Sequence, residues 1–133
     1  GTINGEIALV VSNRMKAYGL ERARLANIEA VCIKDQDELM AKLEEAKIDV
    51  IVLAGYLAII PEMMIKRYKN RIINIHPSLI PSFCGSGFYG IHVHEHAFNR
   101  GVKVSGATVH FVSNVVDGGP IILQSCFFGK VDF

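Results

Sequence analysis

The sequence predicts a single α/β domain with a mostly parallel sheet flanked by helices. Short apolar runs alternate with segments of helix-forming residues along the 133 residues of the chain. Hydrophobic residues make up 50% of the chain, which is enough for a packed core. Gly, Pro, Asn or Asp separates most of the runs, and these residues end strands and helices. Strands that alternate with helices pair in parallel when each helix carries the chain back across the sheet.

The first half of the chain contains three predicted strands and two predicted helices. The strands are apolar runs at 7–11, 30–33 and 50–54, and the first helix covers 18–26. The second helix begins after Asp35, because Glu38 stands three residues later in the pattern of a capping box.

The second half continues the alternation. Its predicted elements are helices at 62–68 and 92–99 and strands at 72–75, 107–112 and 121–123. Pro61 suits the first position of a helix, and Gly101 suits a helix end. A long loop rich in Pro, Ser and Gly follows the strand at 72–75.

Asn74 and His76 stand at the carboxyl end of a predicted strand, just before Pro77. Residues two apart on a strand point to the same side, so the two side chains share a face. In open parallel sheets, ligands bind at the carboxyl ends of the strands. An amide and an imidazole there can both donate hydrogen bonds to one carbonyl oxygen, as acyl transfer requires when negative charge builds on that oxygen. For His76 alone, a structural role is the alternative.

Asp117 begins an Asp-Gly-Gly-Pro turn between the last two predicted strands. A turn between strands can place a carboxylate at the end of a sheet, where it would favour the protonated form of His76. Ordinary turn chemistry is the alternative for Asp117. We predict a catalytic group of Asn74, His76 and Asp117.

The segment that follows the strand at 50–54 is apolar. Gly55 would let a ligand approach the backbone closely. Leu57, Ile59 and Ile60 could form an apolar wall for a flat heterocycle. Filling the core is the alternative role for these three side chains.

Two further patterns contain reactive groups, but neither predicts a site. His92 and His96 have the i, i+4 spacing of metal ligands on a helix, yet two histidines leave a site short of ligands, so no metal is predicted. Cys84 lies in the loop after His76, but nothing adjacent in sequence would activate its thiol. We interpret the histidines as a solvated helix face and Cys84 as an inert thiol.

Charge and cysteine content exclude several classes of protein. The net charge is +1 without a basic cluster, so no nucleic-acid partner is predicted. No apolar stretch is long enough to span a bilayer, so no membrane partner is predicted. Cys32, Cys84 and Cys126 are odd in number and far apart, which indicates reduced thiols. We expect a cytoplasmic protein.

Six segments occur in an order that is specific in combination: 10–14, 18–23, 52–57, 74–81, 105–112 and 117–124. Together they resemble the phosphoribosylglycinamide formyltransferase family, and the likeness spans nearly the whole chain. The resemblance implies a Rossmann-like formyltransferase fold. It also implies transfer of a formyl group from 10-formyltetrahydrofolate to the amine of glycinamide ribonucleotide, a step of purine biosynthesis.

The resemblance also implies a role for each candidate residue. Asn74 and protonated His76 would hold the oxyanion, and Asp117 would keep His76 charged and orient a water that relays protons. The implied folate contacts are Asn74 and the apolar segment Leu57, Ala58, Ile59 and Ile60. The implied substrate contacts are Gly55, Ile75 and Pro77. The folate is a cosubstrate, so no tightly bound cofactor is expected.

Compared with the family, the chain departs at both ends. Family members begin with another strand and a Gly-Ser-Asn loop that binds the substrate phosphate, and they continue into a C-terminal helical region. We therefore expect residues 1–133 to form one domain that is incomplete at both ends. Exposed strand edges would then favour a homodimer or a complementing chain.

Three alternative functions stay open. A formyltetrahydrofolate deformylase shares the Asn, His and Asp but uses water in place of the amine, and Pro77 with the Gly118-Gly119 pair favours the transferase. A methionyl-tRNA formyltransferase would need a tRNA-binding domain and a basic surface. The third alternative is a non-catalytic remnant that binds folate or a partner.

Overall fold

The computed structural model describes residues 3–128. The chain divides after Ile48 into two compact units. Strands alternate with helices throughout the first unit and, up to its last two strands, in the second. That a single domain spans residues 1–133 stays a prediction. None of the helices in the described part of the chain is long and apolar enough to cross a membrane.

The first unit contains two strands and two helices: β1 (Leu9–Ser12), α1 (Tyr18–Leu25), β2 (Glu29–Cys32) and α2 (Gln36–Glu45). β1 and β2 pair in parallel, and α1 connects them. The Asp35 carboxylate accepts a hydrogen bond from the Glu38 N–H at 2.9 Å, which confirms the predicted cap of α2. The interior contains Leu20 and Ala23 of α1 and Leu43 of α2.

The second unit contains four strands and two helices: β3 (Ile51–Leu53), α3 (Glu62–Arg67), β4 (Ile72–His76), α4 (Ile91–Arg100), β5 (Val104–Phe111) and β6 (Ile121–Phe128). The strands form one sheet in the order β3-β4-β5-β6. Its buried side chains come mainly from α3, β4 and α4, and they include Met64, Tyr68, Ile72 and Val93.

Strand direction differs from the prediction in half of this unit. β3 and β4 are parallel, as expected, but β5 runs antiparallel to both β4 and β6. β5 and β6 are consecutive strands joined by residues 112–120. This connection is too short for the crossover that a parallel pair needs, so the pair is antiparallel. The parallel arrangement therefore holds for β1-β2 and β3-β4 only.

The start of α3 and the end of β6 also differ from the prediction. Pro61 is the N-cap residue of α3 and not its first helical residue, because its backbone is extended. β6 continues to Phe128, well beyond the apolar run that predicted it, and every one of its residues is exposed. Gly101 ends α4 in the left-handed conformation, which confirms its predicted position.

Candidate active site

Four polar side chains meet at the carboxyl end of β4: Asn74, His76, His110 and Asp117. His76 Nδ1 lies 3.5 Å from Asp117 Oδ2, and His110 Nε2 lies 3.6 Å from Asp117 Oδ1. Asn74 Nδ2 lies 3.1 Å from His110 Nε2. The structure thus brings together the three predicted catalytic residues and adds a second histidine.

Strand geometry explains this convergence. Asn74 and His76 are two apart on β4 and share a face, as predicted. In the β4–β5 register, His110 is the partner of Asn74, and Thr108 is the partner of His76. Cross-strand partners on one face are close neighbours, so β5 supplies the second histidine.

Asp117 reaches the group from the turn between β5 and β6. Its φ of 53° is left-handed, a conformation that Asp adopts more readily than most residues. The turn is closed by a bond from the Gly118 N–H to the Val115 carbonyl at 3.0 Å. The side chain of Asp117 is only 9% exposed, so its charge is screened little by water.

Both ring nitrogens of His76 face acceptors. Nε2 donates to the Phe83 carbonyl at 2.8 Å, since a carbonyl oxygen can only accept. Nδ1 faces the Asp117 carboxylate, which also only accepts. A neutral ring would turn a lone pair toward one of these oxygens, so the imidazolium fits this environment better than either neutral tautomer.

The loop after β4 contacts both His76 and Asp117. Phe83 accepts from His76, and the Gly85 N–H donates to Asp117 Oδ2 at 2.9 Å. Phe83 and Gly85 both have positive φ angles, 49° and 91°. Sequence reasoning did not find these backbone contacts, because any residue type supplies a carbonyl or an N–H.

Cys84 lies between those two backbone contacts. Its thiol donates to the Pro81 carbonyl at 3.3 Å. Burial raises the pKa of the Cys84 thiol, and the nearby charge of Asp117 raises it further. A raised pKa disfavours the nucleophilic thiolate, which supports the interpretation of Cys84 as an inert thiol.

Thr108 holds the segment that directly follows His76. Its hydroxyl donates to the Ser78 carbonyl at 2.7 Å and accepts from the Ile80 N–H at 3.0 Å. The side-chain amide of Gln124 donates to the same hydroxyl and to the Ile80 carbonyl, both at 3.0 Å. These bonds fix the chain on the carboxyl side of the predicted catalytic group.

The predicted folate wall is divided between surface and interior. Leu57 and Ile59 are 58% and 81% exposed, whereas Ile60 is buried. Ala58 is partly exposed, in the same segment. The first two side chains are accessible to a ligand, and Ile60 instead packs in the interior.

The predicted substrate contacts lie on β4 and on the loop after β3. Gly55 is exposed and has a φ of 66°, a conformation that a side chain would strain. Ile75 is half exposed on the face of β4 opposite to Asn74, and Pro77 is partly exposed beside His76.

His92 and His96 of α4 contact other side chains of the protein. His92 Nδ1 lies 3.1 Å from the Glu95 carboxylate, and the His96 ring packs against Phe88 with 5.1 Å between centroids. Within residues 3–128, no group of three or more His, Cys, Asp or Glu side chains is placed to hold a metal ion.

A family model described as formyl transferase matches residues 1–127. The chain belongs to the formyl transferase family. A crystal structure of glycinamide ribonucleotide transformylase 1 from Symbiobacterium toebii superposes with a TM-score of 0.87 at 41% identity, over 95% of this chain and 61% of that one. This match confirms the predicted α/β formyltransferase fold.

Two curated relatives carry different names. Phosphoribosylglycinamide formyltransferase, chloroplastic, from Arabidopsis thaliana is 37% identical over 94% of this chain and 46% of its own length. Formyltetrahydrofolate deformylase from Haemophilus influenzae is 40% identical over 94% of this chain and 45% of its own length. The chain thus spans about half the length of these two relatives.

His110 is the residue of the group that sequence reasoning missed. It occurs in the segment 105–112 that carries the family likeness, and a histidine facing inward on an apolar strand was the available signal. Its relation to Asn74 depends on the pairing and register of β4 and β5. Neither is contained in the pattern of either strand alone.

Proposed function

We propose that this chain carries the reaction site of a phosphoribosylglycinamide formyltransferase. The substrates would be glycinamide ribonucleotide and 10-formyltetrahydrofolate, and the reaction a step of purine biosynthesis. The observation that carries the proposal is the contact of Asn74 and His76 with His110 and Asp117 in one group at the end of β4, in which both histidines are buried. The relatives named above support the choice of reaction.

The proposed reaction begins when the amine of the ribonucleotide attacks the formyl carbon. A bond forms from the amine nitrogen to carbon, and the formyl oxygen becomes an oxyanion. Asn74 Nδ2–H and a protonated His76 donate to that oxygen and stabilise the negative charge that develops on it. The bond from carbon to the folate nitrogen then breaks, and the proton lost by the amine passes to that nitrogen through a water.

Asp117 has two tasks in this scheme. Its carboxylate stands beside His76 Nδ1 and stabilises the charged ring. It also orients the water that relays the proton. His76 Nε2 is bonded to the Phe83 carbonyl in the free protein, so the formyl oxygen would replace that carbonyl as its acceptor.

The folate is a cosubstrate in this proposal, and no tightly bound cofactor takes part. The exposed side chains of Leu57 and Ile59 offer the pterin an apolar surface. Ala58 is partly exposed and Ile60 is buried in the same segment. Gly55, Ile75 and Pro77 would contact the ribonucleotide substrate. A cytoplasmic location and association with a second copy or a complementing chain stay predictions.

Deformylation is the second candidate, because the deformylase from H. influenzae is about as similar to this chain as the formyltransferases are. Water would then attack the formyl carbon and formate would leave. Incubating the full protein with 10-formyltetrahydrofolate, with and without the ribonucleotide, separates the two reactions. A transferase forms formylated ribonucleotide, whereas a deformylase releases formate even when the ribonucleotide is absent.

The variant His76→Ala tests the site. Removing one oxyanion donor lowers kcat by about 10²–10³-fold in comparable sites, and we expect at least that loss here with near-normal folate binding. His92→Ala is the matched control, since His92 lies half exposed on α4 and makes a surface contact with Glu95. A His76→Ala enzyme within about tenfold of the parent would refute the proposed role of His76.

A further inference from the structure

His110 links the backbone of β5 to Asn74 through two hydrogen bonds. Its Nδ1 lies 2.9 Å from the Phe111 carbonyl oxygen, and its Nε2 lies 3.1 Å from Asn74 Nδ2. The side chain is 3% exposed, so water does not compete strongly for either nitrogen. The two bonds therefore determine which nitrogen of His110 carries the proton and how the Asn74 amide is oriented.

The bond to Phe111 decides the tautomer of His110. A carbonyl oxygen accepts and cannot donate, so Nδ1 carries the proton. In a neutral ring the other nitrogen, Nε2, then has a lone pair and must accept. Asn74 can satisfy it only with its NH2 group, because the amide oxygen would bring two lone pairs together.

The tautomer in turn fixes the orientation of the Asn74 amide. Of the two N–H bonds on Nδ2, one points at His110 and the other stays available for a ligand. If the amide turned over, its carbonyl oxygen would take the place of this free donor. A site that must stabilise an oxyanion would then present a second oxygen to it, which is repulsive.

We propose that His110 is a positioning residue that keeps Asn74 in the donor orientation. This inference rests on the proposed function, because the orientation matters only where Asn74 donates to an oxyanion. His110 itself need not contact either substrate. Asp117 Oδ1 lies 3.6 Å from the same Nε2, so a charged His110 would donate to Asp117 and release Asn74. The neutral ring is thus part of the proposal.

Two substitutions at His110 test the proposal in the full protein. His110→Leu removes the acceptor and keeps an apolar side chain, whereas His110→Gln keeps an oxygen that can accept from Asn74. We expect the Leu variant to lose about tenfold to 10²-fold in kcat, with the KM for the folate within about threefold of the parent. We expect the Gln variant to recover much of that loss.

A spectroscopic readout tests the hydrogen bonds without any turnover. Long-range ¹H–¹⁵N correlations should show His110 as the neutral tautomer with the proton on Nδ1. One of the two Asn74 side-chain amide protons should exchange slowly with solvent in the parent and in His110→Gln, and rapidly in a folded His110→Leu. A proton on Nε2, or rapid exchange in the parent, would overturn the proposal.

The two measurements separate this proposal from the proposed function. If the parent transfers formyl groups and a folded His110→Leu does so at the same kcat, the positioning role is wrong and the function stands. If the parent transfers no formyl group, the function is wrong, and the positioning role for formyl transfer falls with it. If His110→Leu does not fold, the parent spectrum and the activity of His110→Gln decide, and a Gln variant as inactive as His76→Ala would refute the proposal.

Discussion

Replacing Thr108 by Val should destabilise the protein, because backbone groups that bond to the Thr108 hydroxyl would lose their hydrogen-bond partner. The Thr108 side chain is fully buried, and its hydroxyl uses its one donor and both of its acceptor positions. Val has nearly the same shape but a methyl group in place of the hydroxyl. The change therefore removes hydrogen bonds without opening a cavity.

The magnitude follows from the partners of that hydroxyl. The Ser78 carbonyl and the Ile80 N–H both lose their bond to it, and an unsatisfied buried group costs about 1–3 kcal/mol. Gln124 is exposed, and its side-chain amide can bond to water instead, so the loss of its bond to Thr108 adds little to the cost. The extra buried methyl offsets about 1 kcal/mol. We expect the free energy of unfolding to fall by about 3 kcal/mol.

Urea denaturation of the parent, Thr108→Val and Thr108→Ser measures this difference. The Ser variant is the matched control, because it keeps the hydroxyl and loses only a methyl group, which costs about 1 kcal/mol. Amide hydrogen exchange at Ile80 gives a local readout, since its N–H loses its acceptor only in the Val variant. A Val variant as stable as the Ser variant would show that the hydroxyl does not hold the segment after β4.

The remaining predictions concern the turn that carries Asp117 and the thiol beside it. Because the pKa of Cys84 is raised by burial first and by the charge of Asp117 second, iodoacetamide should label Cys84 more slowly than a free thiol near pH 8, with peptide mapping as the measurement. Asp117→Asn, which suits the left-handed backbone, should lower that pKa, speed the labelling and reduce formyl transfer; unchanged labelling would contradict the charge effect. Gly119→Ala should lower the free energy of unfolding by about 2 kcal/mol or more, because its Cβ would overlap the Phe111 carbonyl. Gly19→Ala on α1 is the control and should be neutral or stabilising by up to about 1 kcal/mol, since open space surrounds it.

Local patterns predicted the elements whose signals are local. The Asp35–Glu38 cap forms as expected, because a side chain and a backbone N–H three residues apart are close as soon as a helix begins. Gly101 ends α4 for a similar reason, since only the backbone conformation at that residue decides it. The same local logic placed Asn74 and His76 on one face of β4.

The direction of a strand and the strand it pairs with depend on residues far apart in the chain, so the sequence predicted them less well. An apolar run has the same composition whether its neighbour is parallel or antiparallel, so β5 was expected in a parallel sheet and is antiparallel. β6 was predicted too short, because the polar pair Gln124 and Ser125 interrupts its apolar sequence. Ile60 was expected at a ligand wall and is buried, since an Ile suits both positions equally well.

The antiparallel pairing of β4 with β5 is what makes the group of four possible. The register places His110 opposite Asn74 and Thr108 opposite His76, so β5 supplies a cross-strand partner to each of the two candidate residues on β4. Side chains alternate between faces along a strand, and a slip of one residue would set Val109 opposite Asn74 and turn His110 to the other face. The turn after β5 then returns Asp117 to both histidines. The register of β5 is therefore as much a condition of the proposed chemistry as the identity of Asn74 and His76.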